Sequence, residues 1–280
     1  MMDNLNLQKI EGYVVQQVAD KVWAIDEFGT DIIYLVDGTE KAAVIDTGTG
    51  FGHLKKVIEA LTEHPYFVLN THGHLDHAGG NSDFEEVYIS EKDFFMIEPE
   101  YVSKEKDRFL AKAKAETGFY GEGYLKECWN PGTFAPKPLL DHQIFNLGGR
   151  TLEVLYTPGH TPGSVVFLDR ENRLLFAGDS VVSTPILIFD TYSSSVQEFR
   201  DGLKRLDQED FELIFPGHFL RPVGKKVLHD LIACAERILD GTATPEPVDF
   251  SHMSSEPAVL YRYGTGSIAY NEKHIYPETR

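Results

Sequence analysis

The sequence predicts an α/β fold: two β-rich halves with amphipathic helices between them, an alternation that suggests a four-layer αββα sandwich. Short runs rich in β-branched and aromatic residues, bounded by glycine and aspartate turns, recur at 13–45 and again at 144–177. Apolar residues at helical spacing recur at 52–63, 196–206 and 223–239. Histidines and aspartates stand directly after several of the apolar runs, where a strand leaves its sheet. No repeat or boundary interrupts the pattern, so residues 1–280 read as a single domain, with an insertion at about 90–138 and a C-terminal tail at about 241–280.

In chain order, the runs 13–18, 22–25, 32–36 and 42–45 read as antiparallel hairpins punctuated by Gly29, Asp37-Gly38 and Gly48. Leu54, Val57, Ile58 and Leu61 give the first helix its apolar stripe. Residues 66–69, Tyr-Phe-Val-Leu after Pro65, form a short buried strand. Ala78-Gly79-Gly80-Asn81 is expected to start a helix packed close to the preceding loop, and 87–89 is a further strand.

The alternation breaks between 90 and 138, which holds the charged helical run 104–116, a glycine-bearing aromatic stretch at 118–124 and Trp129. This insertion reads either as surface helices covering a sheet face or as a lid-like pocket wall, with Phe119, Tyr120 and Trp129 as candidate substrate contacts. Strands resume at 144–147, 151–156, 165–168 and 174–177. Residues 184–195 read as irregular and add Phe189 and Tyr192 as candidate pocket residues. Helix 196–206, strand 211–215, helix 223–239 and a glycine-turn hairpin at 259–270 complete the chain.

A hydrophobic fraction of 42% and a charged fraction of 25% are those of an ordinary globular chain. The formal net charge of -18 argues against nucleic acid or an anionic membrane as partner, since both reward Lys and Arg. Cys128 and Cys234 show no metal-type spacing, and no disulfide framework is expected. Residues 1–6 carry no signal-peptide pattern, so a cytoplasmic location is expected, with a small-molecule substrate and a monomer or homodimer.

The stretch Asn70-Thr71-His72-Gly73-His74-Leu75-Asp76-His77-Ala78-Gly79-Gly80 puts three imidazoles and a carboxylate after the buried run 66–69. That donor mixture suits zinc, iron or manganese. The plain alternative is a polar loop with incidental histidines. Further on, His160 follows Thr157-Pro158-Gly159, Asp179 follows Phe176-Ala177-Gly178, and His218 follows Phe215-Pro216-Gly217. Each stands beyond a short apolar run and a glycine.

Together these four motifs resemble the metallo-β-lactamase fold superfamily, over roughly residues 14–239. The resemblance implies two divalent metal ions, zinc first, with iron or manganese accepted by the same donors. It places His72, His74 and His160 on one metal, Asp76, His77 and His218 on the other, and Asp179 as the bridge. It implies a metal-bridging hydroxide as nucleophile and makes Asp76, beside it, a candidate catalytic proton carrier. Asp46 reads either as a turn cap or as a residue steadying the ligand loop by hydrogen bonds.

The Asp at 179 resembles lactonases, glyoxalase II-like thioesterases and phosphodiesterases, whereas true β-lactamases of the fold usually carry Cys or Ser there. Flavo-diiron proteins place Glu where His74 stands. No G-x-S-x-G elbow offers a serine mechanism. The expected activity is hydrolysis of a small ester-like substrate, a lactone or thioester. The alternatives are a phosphodiesterase on the same site or a non-hydrolytic diiron redox protein.

Overall fold

The first half of the chain builds one sheet in sequential order. The computed structural model describes residues 7–115, 129–130, 132–251, 254 and 256–277. Strands β1 (Gln8–Ile10), β2 (Tyr13–Ala19), β3 (Val22–Glu27), β4 (Asp31–Asp37) and β5 (Ala42–Ile45) pair antiparallel through short turns. Helix α1 (Leu54–Leu61) crosses over, and β6 (Tyr66–Leu69) joins β5 in parallel. The short helix α2 (Leu75–Ala78), strand β7 (Val87–Ile89), a 3-10 turn at Glu91–Ile97, helix α3 (Pro99–Ala115) and edge strand β8 (Lys137–Pro138) follow. The sheet runs β1 to β8 in order.

The second half repeats the plan. Strands β9 (Ile144–Asn146), β10 (Thr151–Tyr156), β11 (Val165–Asp169) and β12 (Leu174–Gly178) form an antiparallel meander. After β13 (Ile186–Ile188) and helix α4 (Val196–Leu206), strand β14 (Leu213–Pro216) lies parallel beside β12. Helix α5 (Lys225–Leu239) leads to β15 (Glu246–Val248), β16 (Ala258–Tyr263) and β17 (Gly266–Tyr270). A five-stranded sheet, β14-β12-β11-β10-β9, and a four-stranded sheet, β13-β17-β16-β15, result.

Burial defines the four expected layers. One face of the first sheet, with Val22, Tyr34 and Ile45, packs against Val154, Phe167 and Phe176 of the second sheet. The opposite face of the first sheet, with Ile25, Ile33 and Val44, is covered by Leu54, Val57 and Ile58 of α1. The outer face of the second sheet, with Val166, Leu168 and Leu175, is covered by Phe199 and Leu203 of α4 and Leu228 and Leu231 of α5. Strand β4 is buried along its whole length because both faces are covered. Ser195 caps α4, its Oγ accepting from the Glu198 amide at 3.1 Å.

Two local expectations are corrected. The helix expected to begin at Ala78 ends there: α2 spans Leu75–Ala78, and Gly79 terminates it. A Cβ at Gly79 would stand 2.5 Å from the Thr49 carbonyl oxygen, so glycine serves close backbone approach rather than helix initiation. The segment 184–195, read as irregular, contains β13, which pairs in parallel with β17. Its partner is distant in sequence, and a three-residue run carries little periodicity. The tail is accordingly woven into the fold, with Tyr261, Ile268 and Tyr270 in the core under α5.

Candidate metal centre

Every sequence-predicted metal ligand stands where a strand ends. His72 and His74 occupy the loop after β6, and Asp76 and His77 lie on α2, which that loop starts. His160 lies between β10 and β11, Asp179 directly follows β12, and His218 comes two residues after β14. Ligands gathering at the carboxyl ends of strands is the usual outcome in open α/β sheets.

The structure brings all seven side chains together. The rings of His72, His74 and His160 stand 4.6 to 4.9 Å apart, centroid to centroid. His72 Nε2 and His74 Nδ1 are 3.1 Å apart, and His160 Nε2 is 3.3 Å from Asp179 Oδ2. On the other side, His218 Nε2 is 3.1 Å and His77 Nε2 3.5 Å from Asp179 Oδ1. Asp76 Oδ2 lies 3.9 Å from both of those nitrogens. Asp179 therefore stands between two trios, His72/His74/His160 and Asp76/His77/His218.

Hydrogen bonds fix which nitrogen of each ring faces inward when the ring is neutral. His160 Nδ1 donates to the Leu187 carbonyl at 2.8 Å, and His218 Nδ1 to the Thr30 carbonyl at 2.7 Å. His77 Nδ1 donates to Asp46 Oδ2 at 2.9 Å. The Thr71 hydroxyl donates to Asp46 Oδ2 at 2.7 Å, so its oxygen accepts from His72 Nδ1 at 3.1 Å. Each of these rings thus turns the lone pair of Nε2 toward the centre. Asp46 joins the Thr71 amide and hydroxyl to His77, and its backbone is held at φ +63°.

Three buried atoms aimed at the centre, His77 Nε2, His160 Nε2 and Asp179 Oδ1, have no hydrogen-bond partner. Buried polar atoms are seldom left in that state, and converging imidazole and carboxylate lone pairs are a donor set that divalent cations take. The residues fit the metals the fold implies. Glycine is required beside them: a Cβ at Gly217 would lie 2.8 Å from His77 Cε1 and 3.1 Å from Asp179 Oδ1.

The field is strongly negative on the second side. Burial opposes charge on His218, yet Asp179 overrides it and pushes the imidazole up to about 10. Burial likewise opposes charge on His77, and Asp31, Asp76, Asp179 and Asp46 raise it well above the usual histidine range. On the first side burial and neighbouring imidazoles hold His74 down to about 3. Charge is disfavoured on His72 and His74 and favoured on His77 and His218.

Two supporting residues escaped the sequence reading. Asp93, from the 3-10 turn, accepts from the Gly73 amide at 3.0 Å, the Gly163 amide at 2.8 Å and the Thr161 hydroxyl at 2.6 Å. It thereby ties the His72–His74 loop to the His160 loop. Asp31, at the start of β4, places Oδ1 3.5 Å from His77 Nδ1. A charged residue within or beside an apolar run was the available signal for each.

The centre opens into a cavity of about 290 Å³. Its walls include Leu75, Leu187 and Phe189, and α3 roofs it with Tyr101, Arg108 and Phe109. Of the insertion, helix α3 lines this cavity, and Phe189 lines it too. Tyr192 stands behind the wall, its ring 4.8 Å from Phe95 and 6.2 Å from Tyr101. Trp129 is a correction: it lines a separate cavity of about 520 Å³ beyond α2 with Phe94, Ile97 and Phe134, and its ring covers Lys106. Aromatic character placed it near a wall but not near which one. Phe119 and Tyr120 lie outside the described residues.

Fold and site together define a class, an αββα protein with His/Asp clusters at the strand ends that could hold divalent metal. The family model described as the metallo-beta-lactamase superfamily matches residues 32–218, and the chain belongs to that superfamily. It is 26% identical over 238 residues to human acyl-coenzyme A thioesterase MBLAC2, covering 76% of this chain and 83% of that one. It is 29% identical over 220 residues to hydroxyacylglutathione hydrolase GloC of Haemophilus influenzae, covering 76% and 91%. A metallo-beta-lactamase family protein from Thermus thermophilus shares the fold at a TM-score of 0.60 and 22% identity, covering 82% of this chain and 85% of that one.

Proposed function

We propose that this superfamily member is a hydrolase that uses two divalent metal ions, zinc in the first instance, to cleave a thioester. The observation that carries the reading is Asp179, held between two trios of inward-facing ligand atoms. Relatives named acyl-coenzyme A thioesterase and hydroxyacylglutathione hydrolase support a thioester ahead of a lactone as the ester-like substrate.

His72, His74, His160 and Asp179 would hold one ion, and Asp76, His77, His218 and Asp179 the other. Bound there, the ions would supply Lewis acidity at the thioester carbonyl and a nucleophile available near neutral pH. The chain's own residues do the rest. Leu75, Phe109, Leu187 and Phe189 exclude water from one side of the cavity and give the acyl group an apolar surface. Asp76, partly exposed to that cavity, is placed to pass a proton to the departing thiolate. Water and thioester then become carboxylate and thiol.

The test is a hydrolysis screen of zinc-reconstituted protein against acyl-coenzyme A, a glutathione thioester, a lactone, a phosphodiester and a β-lactam, with elemental analysis alongside. Two metal equivalents and turnover of a thioester above the others are expected. One equivalent with no gain on adding metal would sink the two-metal reading, and preference for a phosphodiester would sink the thioester assignment.

A further inference from the structure

Strand β4 begins against the second trio and meets both of its histidines. The Thr30 carbonyl accepts from His218 Nδ1 at 2.7 Å. The next residue, Asp31, brings Oδ1 to 3.5 Å from His77 Nδ1. Two further bonds hold this strand to the loop that carries His218: the Ile32 amide donates to the Gly217 carbonyl, and the Tyr34 hydroxyl to the Pro216 carbonyl, both at 2.7 Å.

Asp31 is the unexplained member of this group. Its side chain is fully buried, and neither carboxylate oxygen has a hydrogen-bond partner. Asp46, which faces the same His77 nitrogen, is satisfied by the Thr71 amide and hydroxyl and by His77 itself. A buried carboxylate without donors is costly to fold, and an amide or apolar side chain at this place would be cheaper. Asp31 stands at Nδ1 of the His77 ring, while Asp76 and Asp179 face Nε2 of the same ring. A carboxylate behind a ligating imidazole orients the ring and makes its inward lone pair a stronger donor.

We infer that Asp31 is a positioning residue for the second metal position, its buried carboxyl group beside Nδ1 orienting His77 and strengthening it as a ligand while the adjoining Thr30 carbonyl fixes His218. The inference rests on the two-metal reading above. It separates the two positions: β4 supports the second trio, and neither Thr30 nor Asp31 contacts His72, His74 or His160 among the bonds described.

The test is titration of metal-free Asp31→Asn and Asp31→Ala, beside the parent, with zinc against a chromophoric chelator and with cobalt(II), whose visible absorption reports each step of loading. The thermal midpoint of each metal-free protein is measured as well. The parent should take two equivalents. In both variants the first equivalent should bind as in the parent and the second roughly ten- to hundred-fold more weakly. The metal-free midpoint should stay level or rise, because a buried carboxyl group without hydrogen-bond donors is gone. A second equivalent as tight as the parent's in both variants overturns the inference. So does equal weakening of both equivalents with a lowered midpoint, or failure of both variants to fold, since Asp31 would then serve packing alone. A parent that takes fewer than two equivalents defeats the two-metal reading itself, and the parent curve shows that before any variant is compared.

Discussion

The Thr161 hydroxyl donates to Asp93 Oδ2 at 2.6 Å across 68 residues of chain. With the Gly73 and Gly163 amides on the same carboxylate, this bond sets the spacing between the loop of His72 and His74 and the loop of His160. Asp93→Ala would leave three buried donors without that acceptor. A loss of about 2 kcal/mol or more in urea unfolding is expected. Weaker binding of the first metal should accompany it. Asp93→Asn, which keeps one acceptor oxygen, should fall between. An unfolding curve for Asp93→Ala that overlays the parent's would show that the loops hold their spacing by other means.

Asp179→Ala should damage the centre more than the fold. The sheet cores are apolar and lie away from Asp179, whose neighbours are His77, His160 and His218. Metal content should fall below two equivalents and kcat by roughly a hundred-fold or more. The metal-free thermal midpoint should change little. Intact metal content with a collapsed midpoint would instead mark a structural carboxylate.

Arg108 brings the positive charge of α3 to the cavity, beside Glu105 at 3.1 Å. An exposed pair of this kind contributes little to stability, so exchanging Glu105 for an anionic carrier group would cost Arg108 little. Arg108→Ala should raise KM for a coenzyme A thioester roughly two- to fivefold and leave kcat unchanged. A neutral short-chain thioester should show no difference. Equal effects on both substrates would mean that the charge plays no part in recognition.

Lys106 is buried between the rings of Phe51, 5.1 Å from its Nζ, and Trp129, at 4.7 Å, and its ammonium has no hydrogen-bond partner. Burial, only partly offset by Glu27 and Asp83, brings its pKa down to about 8 from 10.5. Between those values the unfolded chain binds more protons than the folded one, so this group's contribution to stability improves as pH rises through that window. The midpoint of the parent relative to Lys106→Met should therefore rise between about pH 7.5 and about pH 9.5. A constant difference across that interval would contradict a depressed lysine.

The gathering of the seven candidate ligands was legible because local patterns carried it: a buried run, a glycine, then an imidazole or carboxylate. Asp46 was half legible for the same reason, standing at the end of β5. Asp31 and Asp93 were not, because their meaning lies in partners distant in sequence, His77 for one and Thr161 for the other. The layered architecture followed from the alternation of runs and helices. Strand β13 did not, since its three residues acquire their conformation from Ile268, Ala269 and Tyr270. Trp129 shows the limit of reading pockets from composition, for an aromatic ring suits any apolar wall.

His160 takes its orientation from the Leu187 carbonyl, and Leu187 sits in a strand whose neighbour is β17. That neighbour is itself pinned, since the Thr265 amide and hydroxyl both bind Asp230 of α5. The first trio is thus completed by a part of the chain synthesised long after its histidines. A nascent chain released only as far as His218 already carries all seven candidate ligands and β13, but lacks β17, the strand that holds β13 in place. Loss of the final hairpin would accordingly be felt at a histidine 110 residues before Tyr270.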